Sequence, residues 1–193
     1  GKTKIRFESI IGFPHFLLHV LRVFLRVESI SMDEEKALGS LLDDKRLLKD
    51  FNEVIAYGRM GGKRIKDNKG GFARRFILFL LRSRFLFDQF IIKREYAGDD
   101  LEGTWSLKEL YTSGARSAKK PYYANTRLCY KNEWEKTYAP RNKECLMIQS
   151  ALRVSYTSPK VMHWITELLV WLFDDESELP ELSDRAECIA AEA

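Results

Sequence analysis

The sequence predicts an all-α fold: a helical bundle with one long central helix and a long irregular loop rich in basic and aromatic residues. Three observations predict it. Apolar residues recur at helical spacing along most of the chain. Residues that favour helix starts stand in front of several of these periodic segments. Strand signals are weak, with no Asn-Gly hairpin and no sustained alternation of apolar and polar residues. At 193 residues, 45% hydrophobic and 12% aromatic, the chain can bury a sizeable core. A single helical domain over residues 1–193 is expected.

The elements follow in order. "FPHFLLHVLRVFL" has helical apolar spacing, and Pro14 suits its first turn. "SMDEEKAL" places Ser31 three residues before Glu34, a capping-box spacing. Asp43 or Asp44 is positioned to cap "KRLLKDFNEVIAY", whose Leu47, Leu48, Phe51, Val54 and Ile55 share one face. Residues Gly58 to Gly71 are a glycine- and lysine-rich break, expected to be a mobile loop. The long helix then runs to about Tyr96. Ser106 is a candidate cap for a short helix over "LKELY", and Thr112 to Asn142 has no clear period. "KECLMIQSALRVSY" is amphipathic. Ser158 and Pro159 form a cap-and-first-turn pair before "KVMHWITELLVWLF". A last helix is expected in the acidic tail after Pro180.

The run from Phe76 to Ile92 is almost wholly apolar. It is no membrane span, because such a span needs about 20 residues with few charges, and Arg82, Arg84 and Asp88 interrupt it. On a wheel of about 100° per residue, Phe76, Phe79, Leu80, Leu86, Phe87, Phe90 and Ile91 form one arc. Leu78, Leu81, Phe85 and Ile92 form a second. Two apolar faces predict a helix packed on both sides, the centre of the bundle. Arg84 and Asp88 lie one turn apart on a polar strip and are expected to form a buried ion pair fixing helix register. A charged site inside the bundle is the functional alternative.

The net charge of +4 permits a nucleic-acid partner without demanding one. Lys63, Arg64, Lys66, Lys69, Arg74 and Arg75 surround flexible glycines, a composition that can neutralise phosphates without reading sequence. The alternative is a solvated loop. The segment is not a nucleotide P-loop, since Tyr57 and Arg64 occupy positions that need glycine and a hydroxyl. A second basic region interleaves rings, with Lys119, Lys120, Tyr122 and Tyr123 at its start. Stacking plus backbone charge holds single strands, although such rings also serve to anchor a long loop.

No nucleophile elbow is present, and no catalytic residue is assigned. His15 and His19 are one turn apart, but the glutamate of a His-Glu-x-x-His pair is missing, so no metal or other cofactor is assigned. Three dispersed cysteines without a Cys-x-x-Cys fit a reducing, cytoplasmic setting. Both chain ends look cut, which predicts a piece of a longer multidomain protein.

The segments "ESIIGFPHFLLHVLRVFL", "LLKDFNEVI", "FILFLLRSRFLFDQFIIKREY", "WSLKEL" and "LMIQSALRVSYTSPKVMHWITELLVWLF" resemble, in this order, the middle region of large bacterial proteins of the GmrSD-like family. Such proteins have a ParB-like N-terminal domain with an Asp-Gly-Gln-Gln-Arg-type motif. Many end in an HNH-type nuclease domain with an Asp-His motif. The founding members are restriction systems that use nucleotide to cleave modified phage DNA. Neither signature occurs in this chain, so no catalytic residue carries over. The resemblance implies a non-catalytic helical connecting domain of a phage-defence DNA nuclease. Its expected partners are the flanking domains of the parent protein and DNA through the basic loops, not a membrane. The alternative is an interaction or dimerisation module without nucleic-acid contact, for which a homodimer is one form.

Overall fold

The computed structural model describes residues 5–32, 38–98, 101–113, 120–126, 129–132, 137–140 and 142–174. The fold is mixed rather than all-α. Among the described residues, five helices are accompanied by one three-stranded sheet and three two-stranded ones, all antiparallel. The chain divides into two compact units, with changes from one to the other after Ile10, Phe87 and Leu152 among the described residues.

The helical unit comprises Ile11–Phe87 and Arg153–Asp174. Helix α1 (Phe13–Val27) opens with Pro14 in its first turn, as its sequence predicts. Leu18, His19, Val20 and Leu21 are successive and all fully buried. A helix buried around its whole circumference is the centre of its unit, and that position belongs to α1 rather than to the long helix. A 3-10 turn capped by Asp43, whose carboxylate accepts from the Lys45 amide, leads into α2 (Leu47–Tyr57). The expected apolar face of α2 is only partly used: Val54 is buried, whereas Leu48 is exposed.

Residues 58–71 are ordered. They form the hairpin β2 (Arg59–Met60) and β3 (Lys63–Arg64), a 3-10 turn over Ile65–Asn68, and the start of α3 (Lys69–Phe90). Asn68 caps α3 by accepting from the Gly71 amide at 3.0 Å. Phe24 of α1 meets Phe72, Phe76 and Phe79 of α3 edge-on, with centroids 5.0–5.7 Å apart. Helix α5 (His163–Asp174) follows a 3-10 turn over Pro159–Val161. It completes the core with Ile165, Leu169, Leu172 and Phe173, the last stacked on Phe79 at 4.2 Å.

Among the described residues, the second unit comprises those within 5–10 and within 88–152. Strands β1 (Ile5–Ser9), β4 (Lys93–Ala97) and β5 (Thr104–Ser106) form its sheet in the order β1-β4-β5. Ile5 pairs with Ala97, and Lys93 with Ser106. Gly103, at φ +63°, turns the chain into β5 where an added Cβ would lie 2.9 Å from the Glu95 carbonyl oxygen. Two hairpins follow, β6 (Lys108–Ser113) with β7 (Lys120–Asn125), then β8 (Cys129–Asn132) with β9 (Thr137–Pro140). Thus "LKELY" is strand from Lys108 onward rather than helix, and residues 112–142 contain three further strands.

The long helix stops at Phe90, not near Tyr96. Gln149 of α4 (Asn142–Ser155) is the reason. Its amide donates to the Phe90 carbonyl at 2.8 Å, and its oxygen accepts from the Ile92 amide at 3.1 Å. The last helical carbonyl and the amide two residues beyond it are both satisfied by one buried side chain. Glu34 of the Ser31/Glu34 capping-box spacing falls in residues 33–37, and the helix expected in the acidic tail falls in residues 175–193. Both lie outside the described residues.

The wheel of α3 is half correct. Phe76, Phe79, Leu86, Phe87 and Phe90 are buried. The second arc is not, except for Ile92 beyond the helix end: Leu78 is 68%, Leu81 63% and Phe85 66% exposed. Among the described residues, the long helix is packed on one side.

Candidate nucleic-acid interface

The hairpin between α2 and α3 is built by glycine. Gly58 ends α2, where any Cβ would lie 2.4 Å from the Val54 carbonyl oxygen. Gly61 and Gly62 form the two-residue turn, at φ +57° and +78°, a pair of left-handed conformations that tight hairpins require. Buried Ile65 plugs the base, and its amide bonds the Gly58 carbonyl at 3.0 Å. Arg59 and Ser31 exchange two backbone hydrogen bonds, which anchors the other edge.

This frame holds Lys63, Arg64, Lys66 and Lys69 in solvent, with Arg74 and Arg75 further along α3. Arg59 is also exposed and stands opposite Arg64 in register. The sequence reading missed Arg59. The signal was the Gly61-Gly62 pair, itself a hairpin signature. Arg75 differs from the others, because its guanidinium pairs with Glu28 at 3.1 Å. The exposed cations lie beside a single acid, Asp67, within residues 59–75. Their arrangement suits a polyanion backbone rather than a base edge.

The second basic region is different. Lys119 lies outside the described residues, and Lys120 is described only as backbone, the first residue of β7. Tyr122 and Tyr123 are successive on that strand and therefore point to opposite faces. Tyr122 stacks on its cross-strand partner Tyr111 at 5.8 Å. Tyr123 packs against Phe7 at 4.4 Å, with the Lys93 ammonium 5.4 Å from its ring centre. The two rings do not form one platform for consecutive bases.

Contrary to the expectation from the sequence, Arg84 and Asp88 are not buried together. Arg84 is exposed, 5.7 Å from the ring centre of Phe16 and 5.8 Å from that of Phe87. Asp88 is half-buried, and its carbonyl accepts a hydrogen bond from Lys93. The polar strip that carries Arg84 borders the exposed arc, so water reaches it.

Among the described residues of the helical unit, two titratable groups are buried. His19 donates to or accepts from the Thr166 hydroxyl through Nδ1 at 2.7 Å, while its Nε2 is buried without a partner. Burial, with smaller contributions from Arg22, His163 and His15, lowers its pKa to about 3. Asp50 is also buried. Desolvation raises its pKa, partly opposed by Arg46, whose Nε lies 3.4 Å from the carboxylate. Among the described residues, no group of three or more His, Cys, Asp or Glu side chains is placed to hold a metal. No described helix is long and apolar enough to cross a membrane.

Comparison with known proteins returns no matching family model, no matching curated protein and no matching solved structure.

Proposed function

We propose that this chain is a non-catalytic connecting domain of a restriction-type, phage-defence DNA nuclease, and that it touches the DNA backbone through the hairpin between α2 and α3. The observation that carries the DNA contact is the hairpin itself. Five cations, Arg59, Lys63, Arg64, Lys66 and Lys69, are exposed on a short structure anchored at both edges. The role within a nuclease rests on the resemblance of the five segments quoted above. Titrating labelled duplex and single-stranded DNA over a salt series tests the contact. Binding should weaken as salt rises, and replacing Lys63, Arg64 and Lys66 by Glu should flatten the log–log slope by about 2–3. Negligible binding at low salt removes the DNA contact.

A second reading, an interaction module without nucleic-acid contact, is favoured by the exposed apolar face of α3. Large contiguous apolar patches on a surface mark interaction sites.

A further inference from the structure

The exposed face of α3 has a regular order. Leu78, Leu81 and Phe85 are spaced three and four residues apart, the seam of a heptad repeat. They therefore occupy successive a, d and a positions. Arg75 and Arg82 then fall at e, and Ile77 and Arg84 at g. Ile77 is itself 55% exposed and widens the seam. Arg74 and Asp88 occupy the d positions at either end and limit the apolar seam to about two helical turns.

The flanks are cationic and held in place. Arg82 lies over the Phe173 ring at 4.5 Å, Arg84 lies near Phe16 and Phe87, and Arg75 is paired with Glu28. Residues at e and g choose the partner of such a seam. A second copy of this chain fits badly. An antiparallel pair sets Arg82 of one helix against Arg75 and Arg82 of the other. A parallel pair sets Arg74 against Arg74 and Asp88 against Asp88 across the seam. Like charges placed so closely repel.

We infer that this face is the docking site for an acidic amphipathic helix: a partner segment with Leu-type residues at heptad spacing and Glu or Asp on both flanks. The inference rests on the interaction reading above and is independent of the DNA contact. The partner's carboxylates meet Arg82 and Arg84, and its apolar seam covers Leu78, Leu81 and Phe85.

The test uses the 193-residue chain and three labelled synthetic helices of about 20 residues. One has Leu seams with Glu flanks, one Leu seams with Lys flanks, and one Ala seams with Glu flanks. The Glu-flanked Leu helix should bind at least tenfold more tightly than either control. Leu81→Ser with Phe85→Ser should abolish that binding without changing the circular dichroism spectrum. Arg82→Glu with Arg84→Glu should invert the preference toward the Lys-flanked helix, a readout that misfolding does not produce. Equal binding of both Leu helices would overturn the acidic partner while leaving an interaction face. Binding of none, with a dimer in sedimentation that Leu81→Glu dissociates, would assign the face to a second copy. Binding only to vesicles of anionic phospholipid would assign it to a lipid surface. Binding of none by a monomer that also ignores vesicles would overturn the interaction reading itself.

Discussion

Helices α1 and α3 both carry runs of large apolar side chains, and the fold uses them differently. In α1 the successive residues Leu18 to Leu21 are all buried. In α3 Phe76 and Phe79 are buried while Ile77 and Leu78 between them are exposed. Apolar content alone therefore does not locate the centre of a unit. What separates the two helices is where their charges fall. Within Phe16–Phe24 of α1 the one charged residue is Arg22, which reaches the Gly39 and Leu41 carbonyls. Helix α3 carries Arg74, Arg75, Arg82 and Arg84 around a single side, and these keep that side in water.

The largest expected effect sharpens this contrast. Phe24→Ala removes the ring that meets three others and should cost about 3–5 kcal/mol in chemical denaturation. Phe85→Ala, the same deletion on the exposed arc of α3, should change stability by less than about 0.5 kcal/mol. Equal costs would show that the arc is covered in solution.

The next effect belongs to α1 alone and depends on pH. Unfolded, His19 takes up a proton near pH 6.5; folded, it does so only near pH 3. Between these values the unfolded chain binds more protons, so stability falls as pH is lowered through that window and the loss levels off near pH 3. The loss should be on the order of a few kcal/mol. His19→Asn cannot titrate. Its urea midpoint should fall less steeply over the same range, and parallel curves for the two proteins would count against a buried neutral imidazole.

Gln149→Leu comes third. It leaves the Phe90 carbonyl and the Ile92 amide without their partner and should cost about 2 kcal/mol. The Ile92 amide should also exchange faster in hydrogen-exchange measurements. The smallest effect concerns Arg26 and Glu167, which join α1 to α5 in an exposed ion pair at 2.7 Å. Arg26→Ala should cost less than about 1 kcal/mol, and less still at high salt.

The helices were legible in the sequence because each has a buried face or a capped start. Pro14 and Asp43 sit where their chemistry places them. The strands were not legible, for a physical reason. They are two to six residues long, and the burial along β1 and β4 does not alternate, so no apolar period is written into them. The hairpin at Gly61-Gly62 could have been read from its glycines. The cation list was legible as composition, but not the backbone anchors at Ser31 and Ile65 that give it a shape. The opposite facing of Tyr122 and Tyr123 follows from strand geometry, and it was hidden once the strand itself was missed.

The Gln149 clamp also bears on the order in which the chain is made. The residue that ends α3 lies 57 positions after Ile92 and 59 after Phe90. During synthesis from the N-terminus, α3 is complete long before its stop signal exists. Until Gln149 arrives, the Phe90 carbonyl and the Ile92 amide lack the partner that marks the end of α3. Closing so long a loop is slow compared with forming a helix. The boundary between α3 and β4 is therefore completed late, after both strands that pair with β4 have been made.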